Sequence, residues 1–185
     1  MTLVVAILGV VMGACAPGVT SCQVQTIKDN AQRQMRAYVY VTLLGSKYPK
    51  PDPNRLGITF EINNSGLTWA RKLVVRKTKI PRDLAAGEYD PWTRAKWDAD
   101  EPPMFLGPRQ TLGLQLTEIW LSELPSIVEG KKGYDFAVWV IYNDTFTDIP
   151  RETRLVQRFA ADKDGGYSFG YEGSNNCADD DCPKK

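Results

Sequence analysis

The sequence predicts a mainly β protein, an antiparallel sandwich preceded by one N-terminal apolar helix that spans a membrane. No charged side chain precedes Lys28. Beyond that point, short runs of aromatic and β-branched residues recur, as is typical of strands. Turn-forming residues separate about seven such runs, and there is no alternation of strands with long helices of the kind that a parallel sheet requires.

The N-terminal segment has the length and apolarity of a membrane anchor. Its strongest apolar run is Leu3–Met12, and a weaker stretch that contains Pro17 extends it to Val24. As a helix, residues 3–24 would reach about 33 Å, which matches a hydrocarbon core of about 30 Å. We therefore expect residues 1–27 to be a transmembrane anchor in the lipid bilayer, and residues 28–36 to be a polar helical stalk.

Two other interpretations of this segment remain open. Ala14-Cys15-Ala16 fits the small-residue cleavage site of a secretory signal, although no basic residue precedes the apolar run. Met12-Gly13-Ala14-Cys15 is similar to an imperfect bacterial lipobox, which would make Cys15 a lipidated residue. The lipobox interpretation, like the span, keeps the product at a membrane.

Positive charge beside the segment predicts its orientation. Lys28, Arg33 and Arg36 follow the apolar run, whereas no basic residue precedes it. The positive-inside rule then favours the cytoplasmic side for the C-terminal domain of a single-pass protein. Cleavage of the segment would reverse this expectation.

The first half of the domain reads as three strands. Tyr38 to Leu43 is aromatic and β-branched, and a Pro-rich linker follows it at residues 48–53. Leu56 to Ile62 has apolar residues at alternate positions, which is the pattern of a half-buried strand. The turn Asn63-Asn64-Ser65-Gly66 then leads to a third strand over Trp69 to Lys79.

The middle of the chain, residues 81–108, reads as a long irregular excursion rich in Pro, Gly, Asp and Trp, with a helix around Trp92 to Asp98. A loop of this length is uncommon unless it is functional, flexible or hides a strand. Aromatic and arginine side chains concentrate in it at Tyr89, Trp92, Arg94 and Trp97. They form a candidate interaction surface, because such residues dominate protein–protein contacts. Pinning of the loop onto the sandwich is the alternative that we favour.

The second half of the domain supplies the remaining elements. Four strands and one short helix are expected, over Thr111–Thr117, Ser122–Glu129 (the helix, with Gly130 after it), Tyr134–Tyr142, Arg154–Phe159 and Tyr167–Tyr171. Tyr134 to Tyr142 is apolar on both faces, so we expect it to be central, with Val138 and Val140 on the buried face. Residues 37–172 thus form an immunoglobulin-like sandwich.

Composition argues against several classes of function. The chain of 185 residues has 23 basic and 22 acidic side chains and contains no histidine. A nucleic-acid-binding protein usually carries a clear basic excess, so we expect no nucleic-acid partner. Without histidine, imidazole-based catalysis and imidazole metal sites are excluded. We expect no catalytic residues, no cofactor and no metal, and hence no enzyme.

Acidic clusters were weighed as candidate metal or acid–base sites. Asp162-Lys163-Asp164-Gly165-Gly166 is similar to the start of a calcium loop, but the ligand expected at the twelfth position falls on Gly173, so a tight turn is favoured. Asp179-Asp180-Asp181 is interpreted as a solvated acidic tail. Asp144 and Asp148 bracket Phe146 beside the strongest strand, and a turn role for Asn143-Asp144 is favoured over a pair of acid–base carboxylates.

The polar tail, residues 173–185, contains Cys177 and Cys182. Their spacing allows a small disulfide loop in an oxidising compartment, and two thiols in a reducing one. Cytoplasmic orientation would favour the thiols.

Several short motifs resemble a group of uncharacterised bacterial membrane-anchored proteins. They are Arg36-Ala37-Tyr38-Val39 after the apolar segment, Asn64-x-Gly66-x-Thr68-x-Ala70, Tyr142-x-Asp144-x-Phe146 with Thr153 downstream, and the cysteine tail. The chain departs from the group at Trp69, where proline is usual, and at Thr147, where glycine is usual. The resemblance implies an immunoglobulin-like domain at a membrane and no known activity.

These expectations converge on a membrane-anchored, non-enzymatic interaction or structural module with an unidentified protein partner. The alternative is an anchored domain that binds a small ligand or envelope component through the 81–108 loop. A deep pocket with convergent polar groups would favour the alternative, and a flat aromatic patch would favour the module.

Overall fold

The structure is a computed structural model that describes residues 17–44, 54–82, 92, 95–97, 102–171 and 176–182. The chain divides into two compact units, Met1–Gln34 and Met35–Lys185. Helix α1, Pro17–Met35, includes residues 28–35 of the predicted stalk, so the stalk is helical as expected except at Arg36. Among the described residues, no helix combines the length and the apolarity that a membrane crossing needs. Residues 1–16, which hold most of the predicted span, lie outside the described residues.

The second unit is mainly β, as predicted, and its described strands form two antiparallel sheets. A three-stranded sheet has the order β1-β2-β5, and a larger sheet has the order β4-β3-β6-β7-β8, with β9 pairing with β7. The strands are β1 Val39–Leu44, β2 Arg55–Asn64, β3 Ala70–Arg82, β4 Met104–Leu106, β5 Thr111–Trp120, β6 Gly133–Asn143, β7 Pro150–Ala161, β8 Tyr167–Tyr171 and β9 Cys177–Ala178.

One hydrophobic core lies between the two sheets. Ile58 and Phe60 of β2 belong to the same buried cluster as Phe136, Val138 and Val140 of β6, and all five are fully buried. Alternate residues of both strands point to this core because side chains alternate between the faces of a strand. The packing of two sheets over one apolar layer is that of a sandwich.

Strand β6 is central, as its sequence predicts, since it pairs with β3 on one side and β7 on the other. Its second face is also covered. Ala137 lies in a smaller buried cluster with Ile80 and Val156, against which Trp92 and Trp97 of the middle excursion pack. Both faces of β6 are therefore apolar because each is covered, one by the other sheet and one by the tryptophans of the excursion.

The structure corrects the boundaries of several elements. Most strands are longer than expected, and the excursion hides a short strand, β4, which pairs with the bulged start of β3. The connection between β5 and β6 is a 3-10 turn, Leu121–Glu123, followed by helix α2, Leu124–Val128. Gly130 follows α2 with φ +70°, a conformation that glycine adopts without strain.

Candidate functional site

Buried polar side chains converge on the three residues that connect α1 to β1 and on the first residue of β1. We call Arg36–Val39 the junction segment. Side chains from β2, β6, β7 and the cysteine tail bind it, and they come from the motifs that carry the resemblance. The site is therefore built from parts of the sequence that lie far apart.

Asn64, at the end of β2, is the centre of one half of this site. Its Oδ1 accepts hydrogen bonds from the backbone N–H groups of Tyr38 (3.2 Å) and Gly66 (3.0 Å). Its Nδ2 donates to the carbonyl oxygens of Thr68 (2.7 Å), Leu106 (3.2 Å) and Gly107 (3.1 Å). The side chain is almost completely buried, so its amide joins the junction segment to two turns without help from solvent.

Gly66 allows the junction segment to approach the β2–β3 turn. A Cβ at position 66 would lie 2.7 Å from the Cα of Ala37 and still closer to the carbonyl oxygen of Arg36. Real Cβ atoms do not approach other atoms this closely, so any larger residue must displace the backbone of the segment. The backbone N–H of Ser65 donates to the carbonyl oxygen of Tyr38 at 2.9 Å and closes the contact.

Tyr142 and Thr153 hold the other side of the segment. Thr153 Oγ1, on β7, donates to the carbonyl oxygen of Val39 at 2.6 Å. Tyr142 Oη, at the end of β6, accepts from the backbone N–H of Val39 at 3.4 Å and donates to the carboxylate of Asp179. Because β1 belongs to the other sheet, these bonds join the two sheets at one end of the sandwich.

Asp179 completes the site from the tail. Its carboxylate lies 3.6 Å from the guanidinium of Arg36 and accepts the Tyr142 hydroxyl, and its side chain is 8% exposed. The interpretation of the aspartate run as a solvated tail is therefore wrong for Asp179. A left-handed φ of 52° at Asp179 turns the carboxylate inward.

The disulfide between Cys177 and Cys182 encloses this acidic turn. Strand β9 pairs with β7 at Thr153 and Arg154, and the buried Cys182 packs beside the Glu152 carbonyl oxygen. The bridge therefore holds the tail against β7, next to the residue that binds Val39. Of the two states that the sequence left open for these cysteines, the structure has the disulfide.

The electrostatics of the site favour a fixed scaffold over acid–base chemistry. Burial, and then the charge of Asp179, raise the pKa of Tyr142 far above its usual value. The phenol therefore stays protonated and keeps its role as a hydrogen-bond donor. Among the described residues, no group of three or more cysteine, aspartate or glutamate side chains is placed to hold a metal ion.

Asp144 has the turn role that the sequence predicted. Its Oδ1 accepts from the backbone N–H groups of Phe146 (2.8 Å) and Thr147 (2.7 Å), and its Oδ2 pairs with Arg151 at 2.7 Å. Burial alone would raise the pKa of this carboxyl. The hydrogen bonds from Arg151, Thr147 and Phe146 outweigh burial and hold the pKa below its usual value.

The excursion residues singled out from the sequence have a structural contact. Trp92 and Trp97 stack with ring centroids 5.7 Å apart, and Trp97 lies 5.9 Å from Trp139 of β6. The guanidinium of Arg154 lies over the rings of both Trp92 and Trp139. These contacts agree with pinning of the loop. The other two members of the candidate surface, Tyr89 and Arg94, lie outside the described residues.

The Asp162–Gly166 segment forms the turn between β7 and β8, as expected. Asp162 Oδ1 accepts from the backbone N–H groups of Asp164 (3.0 Å) and Gly166 (2.7 Å). The carboxylate therefore closes the turn from within. Beside it lies an open groove of about 480 Å³, lined mainly by apolar residues such as Leu121, Leu124 and Val128.

No protein-family model, curated protein or solved structure matches this chain. The function is therefore inferred from the geometry of the junction segment. The sequence assigns Asn64 to a turn and Tyr142 and Thr153 to short motifs, but it does not predict that they meet in one site, and it places Asp179 in solvent. The pattern that could have identified them is the set of polar residues at the ends of otherwise apolar strands, where each must find a buried partner.

Proposed function

We propose that this chain is a membrane-anchored, non-enzymatic interaction or structural module, an immunoglobulin-like domain attached through its N-terminal apolar segment. The observation that carries the proposal is the construction of the junction segment. A passive linker needs no buried partners, but Arg36–Val39 is bound by Asn64, Tyr142, Thr153 and Asp179. A domain that binds its own N-terminal junction segment so firmly suits a function that depends on attachment at that end.

The order of the strands supports the immunoglobulin-like class. In such domains strands A, B and E share one sheet, and strands C, F and G share the other. Here β1, β2 and β5 lie in one sheet, and β3, β6 and β7 lie side by side in the other. The hydroxyl of Tyr134, at the start of β6, donates to Glu123 in the preceding connection at 3.0 Å, which is similar to the tyrosine corner of that class.

We place the domain in an oxidising compartment on the outer side of the membrane. The Cys177–Cys182 disulfide supports this location, because such bridges persist outside the reducing cytoplasm. The positive charges after the apolar segment favour the opposite side. Arg36 is, however, paired with Asp179 within the domain, which weakens the charge argument. Cleavage at a lipobox ending in Cys15 would deliver the domain to this side.

Membrane fractionation tests the attachment. The full-length chain should sediment with membranes and resist alkaline carbonate, whereas a chain that lacks Met1 to Val24 should remain in the supernatant. The shortened chain must show the same near-ultraviolet circular dichroism as the full-length chain, which serves as the control for folding. Recovery of the intact full-length protein in the soluble fraction would contradict the proposal.

Labelling of intact cells tests the location. After mild reduction, a membrane-impermeant maleimide should modify Cys177 and Cys182, and without reduction it should not. Double replacement of these cysteines by serine supplies the matched control for labelling elsewhere. If only a membrane-permeant maleimide labels these cysteines, and does so without reduction, the domain lies in the cytoplasm and the proposed location is wrong.

A further inference from the structure

Large apolar side chains are exposed at the end of the sandwich that carries the junction segment. We call this set the apolar rim: Leu67, Trp69, Phe105, Phe146 and Ile149. Each exposes between 36% and 69% of its surface, although the interior of the sandwich is well filled. Exposed apolar residues that occur singly need no explanation, but a contiguous group marks a contact surface.

Backbone contacts bring three parts of the rim to the same end of the sandwich. The hydroxyl of Thr145, in the turn that bears Phe146, donates to the carbonyl oxygen of Trp69 at 3.3 Å. Leu106, next to Phe105, pairs with Ala70, next to Trp69. The β2–β3 connection, strand β4 and the β6–β7 connection therefore each contribute apolar residues to this end of the sandwich.

Basic residues in strained backbone conformations flank the rim. Lys72 and Arg109 are exposed and adopt φ values of 51° and 57°. With Asp179, they are the non-glycine residues at positive φ in the described part of the chain, and all three lie at this end. Such conformations are unfavourable for residues other than glycine and concentrate at functional sites. The exposed carboxylate of Asp148 is paired with Arg71 at 3.7 Å.

We infer that the apolar rim rests in the interface of a lipid bilayer with anionic headgroups. The inference rests on the proposed membrane attachment and adds a second contact to it. Tryptophan and phenylalanine favour the interface between headgroups and acyl chains, while lysine and arginine bind anionic lipid. The β2–β3 turn, which carries Leu67 and Trp69, contacts the junction segment through Gly66, and the uncharged run Leu3–Met12 precedes that segment in the sequence.

The position of Trp69 supports lipid as the occupant. Its indole is half exposed. Its backbone is fixed by the Thr145 hydrogen bond on one side and by the start of β3 on the other. The exposed indole of Trp69 therefore lies directly before β3, three residues before the exposed Lys72. An apolar ring with a cation nearby suits the headgroup layer of a bilayer.

Quenching by brominated lipid tests the inference on the full-length chain. The protein is reconstituted in vesicles of phosphatidylcholine and phosphatidylglycerol, isolated by flotation, and compared with the variants Trp69→Phe and Trp120→Phe. Trp120 is similarly exposed, but it is the last residue of β5, whose first residue, Thr111, pairs with Asn63 near the rim. It therefore lies away from the rim and is the matched control. We expect Trp69→Phe to abolish most of the quenching, and Trp120→Phe to leave the quenching unchanged.

The outcomes separate this inference from the proposed function. Flotation with equal quenching in the wild type and in Trp69→Phe overturns the rim contact and leaves the attachment intact. Failure of the protein to float overturns both. Quenching that persists after Lys72→Glu and Arg109→Glu, and in vesicles of phosphatidylcholine alone, overturns the anionic requirement.

Discussion

At the scale of single residues, the clearest feature is that buried polar side chains, and not water, form the hydrogen bonds of backbone groups at the end of the sandwich. The sequence predicts that Asn64 belongs to the turn after a strand. The structure places it as the last residue of β2, with its side chain bound to the turn residues Gly66 and Thr68. The sequence does not say that the same amide also binds Tyr38, Leu106 and Gly107. Those partners come from other parts of the chain, and local turn propensity carries no information about them.

Asn64→Ala should destabilise the domain strongly. It leaves the part-buried N–H of Tyr38, the buried N–H of Gly66 and three carbonyl oxygens without their partner, so the free energy of unfolding should fall by about 2–4 kcal/mol. Urea denaturation measures the loss. The neighbour Asn63 is the control, because it makes an exposed bond to Thr111 and Asn63→Ala should cost less than about 1 kcal/mol. Equal losses in the two variants would refute the central role of Asn64.

Asp144 predicts an acid dependence of stability. Its pKa in the folded protein lies below the unfolded value, so its contribution is complete above about pH 4 and is lost as the pH falls through the folded pKa. Asp144→Asn should therefore cost about 1–3 kcal/mol at neutral pH, and the difference from wild type should shrink in acid. Unfolding curves between neutral and acidic pH measure this, with the exposed Asp148→Asn as control. A difference that is constant with pH would argue against the ion pair with Arg151.

At the scale of elements, strands with regular apolar patterns were predictable and the short ones were not. Tyr134 to Tyr142 was correctly expected to be central because both of its faces are apolar. Strand β4 was missed because its three residues, Met104–Leu106, follow two prolines and are too few to show a period. Its existence depends on pairing with β3, which is a tertiary contact.

The tryptophan cover of β6 makes a prediction at the same scale. Trp97→Ala should expose Ala137 and Val156 and lower the free energy of unfolding by roughly 2 kcal/mol, given that the indole is only half-buried. Near-ultraviolet circular dichroism should also lose the signal of the stacked indoles. Trp120→Ala, which removes an exposed ring in contact with Arg55, should cost less than about 1 kcal/mol. An unchanged free energy of unfolding in Trp97→Ala would contradict the structural role of this tryptophan and favour a role of the excursion in ligand binding.

At the scale of the whole molecule, fold class was more accessible to the sequence than the site. Strand patterns and turns suffice to indicate a β sandwich, since they are local properties. The junction needs Val39 beside Thr153, and Arg36 beside Asp179, and only the closed fold brings these residues together. The motifs that contain these residues can be recognised in the sequence, but the sequence does not show that they all bind the junction segment.

The disulfide makes a prediction about the stability of the whole domain. Closing a loop of six residues stabilises by about 2 kcal/mol in the chain-entropy treatment, so the reduced protein should melt at a lower temperature. Thermal unfolding with and without dithiothreitol measures the shift. The double variant Cys177→Ser, Cys182→Ser should melt like the reduced protein and be indifferent to the reagent. Identical melting of the oxidised and reduced wild type would show that the bridge does not brace the tail.

The way in which the junction segment is held has a mechanical consequence. A pull on the N-terminus reaches the domain at Arg36–Val39, where bonds from Asn64 in one sheet and from Tyr142 and Thr153 in the other resist it together. Tension is therefore divided between both sheets before any strand begins to peel. If the domain is attached at its N-terminus as proposed, β1 should therefore stay paired under repeated pulling.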